Sequence, residues 1–216
     1  MARRPISNVR GRNTFRRRQG RTQPRSITLI VCEGETEEAY LEAARIHYNL
    51  TSAEVVVAEN TKGAAPISVV ECAEERAREK GGYDHIYCAF DRDDHESFGR
   101  ARTKIRDLAA RAKNRMPIKE AVSIPCFEFW ILIHFERTDA PFENCGAVIA
   151  RIRARHMPNY EKADDRVSKE LMARIDTAIA NGTWLAGRAA DIGNNPLTSM
   201  HELVRHMATV ARQPVP

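Results

Sequence analysis

Apolar positions in this chain are bunched into short runs and helical faces. Ile27-Thr28-Leu29-Ile30-Val31-Cys32 is mostly apolar and β-favouring, and it meets Glu33-Gly34 before Tyr40, Leu41, Ala44 and Ile46 recur at helical spacing. That predicts a buried strand, a tight turn and an amphipathic helix over about residues 36–49. Glu54–Ala58 predicts a second strand. Pro66, followed by Ile67, Val70 and Ala73, predicts a helix that Gly81-Gly82 stops after Lys80. Asp84–Phe90 predicts a third strand, about 98–113 a basic helix, and Glu120–Ile124 a short fourth strand. The order βαβαβαβ calls for an α/β fold with a four-stranded parallel sheet and helices on both faces. Pro125–Phe135 is the most apolar stretch and predicts a buried helix. Beyond residue 140 the pattern is helical, over about 144–155, 167–180 and 197–211, the last begun by Asn195-Pro196. The chain therefore divides into residues 1–25, an α/β core over 26–140, and a helical cap over 141–216 packed on that core.

Composition adds limits. The chain has 216 residues, 43% apolar and 29% charged, enough for one sizeable core and an appendage. It has no apolar run of about 18 residues, and its basic start lacks an apolar h-region, so neither a membrane span nor a secretory signal is expected. The five cysteines, Cys32, Cys72, Cys88, Cys126 and Cys145, form no CxxC pair and read as reduced core thiols of a cytoplasmic protein.

Charge changes the picture more. Residues 1–25 hold nine arginines (Arg3, Arg4, Arg10, Arg12, Arg16, Arg17, Arg18, Arg21, Arg25) and no acid; the remainder has 34 − 9 = 25 basic against 29 acidic residues, a net of −4. An arginine-rich, apolar-poor segment cannot bury enough surface to offset its ordering entropy. It reads as a flexible basic arm, drawn to nucleic acid or serving as a solubilising or partner-docking arm.

Two acidic motifs carry candidate chemistry. Glu33 ends the first strand, where ligands collect on an open α/β sheet, although an acid near a helix start also suits the helix dipole and Thr36 suits an N-cap. Asp91-Arg92-Asp93-Asp94 ends the third strand. In extended backbone, residues i and i+2 share a side, so Asp91 and Asp93 can offer oxygens to one hard cation; a solvated turn capping the next helix through Asp94 or Ser97 is the alternative. With strands 1 and 3 adjacent at the centre, Glu33 faces the Asp91/Asp93 pair. Glu128 begins the apolar segment and either caps free amides or leans toward the cation as ligand or base. The basic helix is a solvated face or a phosphate-binding surface. His201 and His206 are five apart, which is not the spacing of paired helical zinc ligands.

Glu33-Gly34 and Asp91-x-Asp93 at the ends of two strands in a βαβαβαβ unit resemble the topoisomerase-primase (TOPRIM) catalytic fold. With Val31–Glu37, Phe90–His95, Pro125–Trp130 and Asn195-Pro196 behind an arginine-rich start, the chain resembles the RloB/AbiLii family over almost its whole length. That resemblance implies a TOPRIM-like core, a place in restriction-modification and phage-defence loci, a partner ATPase of the ABC/SMC-like type, and nuclease activity. It marks Glu33, Asp91 and Asp93 as the acidic, metal-holding set, and Glu37 as matching a second acid of overcoming-lysogenization-defect nucleases. Lys62, Arg92 and Lys162 are open candidates for a catalytic cation.

The expectation is thus a Mg²⁺- or Mn²⁺-dependent nuclease. Glu33, Asp91 and Asp93 hold the metal, Glu37 and Glu128 support it or relay a proton, and Arg16, Arg17, Arg18, Arg21 and Arg25 gather DNA or RNA. A non-catalytic binding or regulatory subunit that docks the ATPase is the alternative.

Overall fold

The computed structural model describes residues 26–58, 65–92, 96–111, 116–188, 191 and 195–212. The arm over 1–25, including its five candidate arginines, lies outside the described residues, as do Lys62, Asp93, Asp94 and His95.

Strands β1 (Thr28–Cys32), β2 (Ala53–Val57), β3 (His85–Asp91) and β4 (Ile118–Ile124) alternate with helices α1 (Glu35–His47), α2 (Pro66–Lys80) and α3 (Phe98–Ala110). A short helix α4 (Glu128–Leu132) follows, then α5 (Cys145–Arg155), α6 (Asp165–Leu171), a 3₁₀ turn (Met172–Arg174), α7 (Ile175–Ala186), strand β5 (Leu197–Thr198) and α8 (Met200–Ala211). The sheet order is β2-β1-β3-β4-β5. β1, β2, β3 and β4 run parallel as expected, but the sheet is mixed and has five strands, because Leu197–Thr198 pairs antiparallel with Ser123–Ile124. A two-residue strand is too short to leave a period in the sequence.

Alternation along the strands builds two cores. Ile30, Cys32, Tyr87, Ala89 and Ala121 face α1 and the C-terminal helices, where Tyr40, Leu41, Trp130, Ile152, Leu171, Leu203 and Met207 pack. Leu29, Val31, Ile86, Cys88, Phe90 and Val122 face α2 and α3, against Val69, Val70, Ala73, Ala101, Ile105 and Leu108. Each such large aliphatic side chain contributes about 1.5–3 kcal/mol on burial.

Local chemistry sets the ends. Pro66 occupies the first turn of α2, and Gly81 (φ 60°) closes it, its N–H donating to the Ala77 carbonyl at 3.1 Å. Gly34, not Thr36, takes the N-cap position of α1. The 125–135 segment is helical only over Glu128–Leu132, with turns on either side. The expected helix over 167–180 is α6, the 3₁₀ turn and α7 in succession, and the expected start at Leu197 moves to Met200.

Candidate functional site

β1 and β3 are adjacent, with Cys32 opposite Ala89, so the chain leaves the centre of the sheet in two directions from neighbouring strands. This is the switch point at which α/β sheets open a crevice at their carboxyl edge. Glu33 follows β1 directly and Asp91 ends β3. The Asp91 backbone N–H donates to Glu33 Oε2 at 3.2 Å, and Asp91 Oδ2 accepts the Phe127 N–H at 3.3 Å. The turn after β4 is thereby tied to the end of β3, immediately before Glu128.

Glu37 lies one turn beyond Glu33 and is buried. A Cβ at Gly34 would come within 3.3 Å of its Oε2, so the glycine leaves that carboxylate room. Its pKa is pushed up to about 8, first by burial and then by Asp91, with Glu128 adding in the same direction. Glu128 is 1% exposed and forms a 2.9 Å ion pair with Lys162 Nζ. Phe127 holds the N-cap position of α4 and no side chain caps that helix; Glu128 instead meets Lys162 and Cys145, and its charge reaches Glu37. The Tyr160 hydroxyl is pushed upward by burial and then by Glu128 and Glu37, which places it beside the same charges.

The structure thus gathers Glu33, Glu37, Asp91 and Glu128 at one edge; Asp93, which the spacing pairs with Asp91, lies outside the described residues. Of the three candidate cations, Lys162 meets this cluster through Glu128, and its charge lowers the Glu37 pKa against the larger opposing effects. Sequence reasoning left Lys162 among equals and missed Tyr160. Both sit in the polar 159–165 segment, which has no strand to fix its place. The donor set is all carboxylate oxygen, suited to a hard divalent cation, and burial beside like charges holds Glu37 toward its neutral form.

One expectation is overturned here. Cys126 and Cys145 are joined by a disulfide with a Cα–Cα distance of 5.5 Å, whereas Cys32, Cys72 and Cys88 are free. The two lie 19 residues apart and meet because α4 and α5 pack together, a contact that spacing alone does not reveal. Among the described residues, the three side chains whose ligand atoms converge within 4.8 Å are Cys126, Glu128 and Cys145.

His134, His201 and His206 serve packing. His134 is wholly buried; the Trp130 carbonyl can only accept, so Nδ1 donates to it at 2.9 Å and Nε2 accepts the Tyr40 hydroxyl at 3.0 Å. His201 Nδ1 lies 3.1 Å from the Thr198 carbonyl, while His206 Nε2 lies 3.1 Å from Thr28 Oγ1, so the two do not share a ligand position. The basic helix is chiefly a paired face: Arg102 forks onto Glu120, and Lys104 reaches Glu71 and Glu74.

Among the described residues, no helix is long and apolar enough to cross a membrane. The family model described as RloB-like protein matches residues 28–207. No curated protein and no solved structure matches the chain.

Proposed function

Because this chain belongs to the RloB-like family, we propose that it is a divalent-cation-dependent phosphodiesterase that cleaves DNA or RNA as an effector of anti-phage defence. The observation that supports this is the meeting of Glu33, Glu37, Asp91 and Glu128, from distant parts of the chain, at the switch point of the sheet. Burial, Asp91 and Glu128 together push the Glu37 carboxyl up, an arrangement that a cation would relieve.

In this reading Glu33 and Asp91, with Asp93, hold Mg²⁺ or Mn²⁺. A bound ion would supply Lewis acidity toward a phosphate. Glu37, held toward its neutral form by burial and Asp91 before a cation binds, is the group placed to exchange a proton. Lys162 faces the incoming negative charge, and Glu128 fixes the lysine's position. The Asp91 N–H, spent on Glu33, orients that carboxylate. The arm, with Arg16, Arg17, Arg18, Arg21 and Arg25, carries the polyanion to a body that is itself net negative. An ABC/SMC-like ATPase is the proposed partner, and the cytoplasm the proposed compartment.

The deciding experiment offers the purified full chain plasmid, single-stranded DNA and tRNA with Mg²⁺ or Mn²⁺, with and without the co-encoded ATPase. Cleavage that requires the cation and is lost in Asp91→Ala is expected. Nucleic-acid binding without cleavage under every condition would favour the non-catalytic subunit.

A further inference from the structure

The wall of the carboxylate cluster holds a second chemistry that the nuclease reading does not use. Cys145 opens α5, an 11-residue helix, and is only partly buried, whereas Cys126 is 1% exposed. Lys162 Nζ lies 3.9 Å from Cys145 Sγ, on the side of the sulfur that faces the carboxylate cluster through Glu128. Glu128 Oε2 lies 3.0 Å from the same sulfur, within reach of a thiol proton. Cys126 completes the disulfide.

We propose that Cys126 and Cys145 are a reversible oxidation site for hydroperoxides. Cys145 is the attacking thiol, Cys126 the resolving thiol and Glu128 the proton acceptor. In the first step Cys145 Sγ bonds to one oxygen of hydrogen peroxide as the O–O bond breaks. Its proton passes to Glu128 and on to the departing hydroxide, giving a sulfenic acid and one water. In the second step Cys126 Sγ attacks Cys145 Sγ. The S–S bond forms, the S–OH bond breaks, and hydroxide leaves with the Cys126 proton as a second water. Two thiols are oxidised and one peroxide is reduced. A thiol reductant reverses the reaction.

The site's effect on the cluster rests on the proposed cation reading. In the dithiol form the Cys145 S–H donates to Glu128; in the disulfide form that donor is gone and the Glu128 charge is turned more fully toward the cluster. A hydrogen bond to a charged group is worth enough, even from a weak thiol donor, that oxidation should raise the apparent Mg²⁺ affinity by on the order of three- to tenfold.

The test uses the full-length chain, reduced, desalted and titrated with hydrogen peroxide. Mass spectrometry follows the Cys126–Cys145 linked peptide, and melting with graded Mg²⁺ follows cation affinity in both redox states. Expected are a linked peptide that dithiothreitol reverses and a Cys145 sulfenic acid that dimedone traps in Cys126→Ser. First-step oxidation should slow at least tenfold in Glu128→Gln. Dimedone labelling of Cys126 in place of Cys145, or over-oxidation without a linked peptide, would overturn the site. A reduced protein that resists peroxide and keeps one Zn²⁺ through chelator dialysis would overturn it too, making Cys126, Glu128 and Cys145 a metal site. A disulfide that cycles with unchanged Mg²⁺ affinity overturns the coupling. If it cycles but neither form cleaves nucleic acid, the oxidation site stands and the nuclease reading falls; if cleavage needs Mg²⁺ but no disulfide forms, the reverse holds.

Discussion

The α2–α3 face and the Glu37 carboxylate at the carboxyl edge are held in opposite ways. Along α2 and α3, carboxylates meet cations: Glu54 binds Lys80 and Arg76 and accepts the Tyr83 hydroxyl, and Glu74 is flanked by Lys104, Arg78 and Arg111. Lys80 leads the effects that hold Glu54 below its usual pKa; at Glu74 burial pushes upward but its three cations outweigh it. At the carboxyl edge Glu37 moves the other way, up to about 8. An acid that is neutralised by its neighbours is structural, whereas one that the fold leaves in need of charge is available to a ligand.

The strongest way to break this contrast is Asp91→Ala. Cation-dependent cleavage should fall by two to three orders of magnitude or more, on the order expected for loss of one transition-state-stabilising group, while the melting temperature in the absence of metal weighs relieved repulsion on Glu37 against the lost Phe127 N–H bond. Activity assays and thermal melting read the two effects. Glu33→Gln should behave alike, and a Mg²⁺-induced melting shift that survives undiminished in Asp91→Ala would remove that residue from the cation site.

Next in size is pH. A carboxyl raised from 4.5 to about 8 on folding contributes stability that is fully present below pH 4.5 and lost as pH rises through 8. Chelator-treated protein should therefore lose up to several kcal/mol across that window, and Glu37→Gln should flatten the loss. Glu54, depressed on folding, contributes with the opposite sign: its share is present above its unfolded pKa and disappears as pH falls through the folded one. Urea melts at several pH values, with and without Mg²⁺, separate the two.

Deleting residues 1–25 sharpens the contrast from outside. It removes nine positive charges and leaves a body of net −4. Nucleic-acid binding should weaken for all sequences alike, and the slope of log K against log salt should flatten by about 0.7 to 0.9 for each phosphate that the arm had neutralised. An unchanged slope in a binding titration would move the interface to another surface.

The smallest effect belongs to the paired side. Arg102→Ala breaks the fork onto Glu120 and should cost about 0.5–1 kcal/mol in a denaturation curve, with cleavage unchanged.

Much of this was legible in the residues themselves. β1 and β3 are short apolar runs bounded by polar turns, α1 recurs at helical spacing, and a parallel βαβαβαβ order already places Glu33 beside Asp91, because adjacent parallel strands end on the same edge. The legible part stops where periodicity does. Pro125–Phe135 is apolar almost throughout, and uniform burial says nothing about conformation, so a five-residue helix between turns read as one long helix. Lys162 and Cys145 come to the cluster through helix packing and a polar loop, which no local pattern encodes. Gly182 shows the same limit: a Cβ there would lie 2.7 Å from His201 Cβ, so α7 and α8 touch at a point that reads in the sequence only as a weak spot in a helix.

The pairing of β1 with β3 rather than its sequence neighbour alone also governs when the site comes into being. Thr28 registers with His85, so the two central strands join only after a long intervening stretch of chain has closed, and Glu128 arrives later still along the chain. An unfolded chain presents scattered acids with no shared cation. A cation bound as proposed would therefore act as a brake on unfolding rather than a nucleus for folding: at a hundred times its dissociation constant it would hold the native state by about 2.7 kcal/mol, and that hold would be read in the unfolding rate.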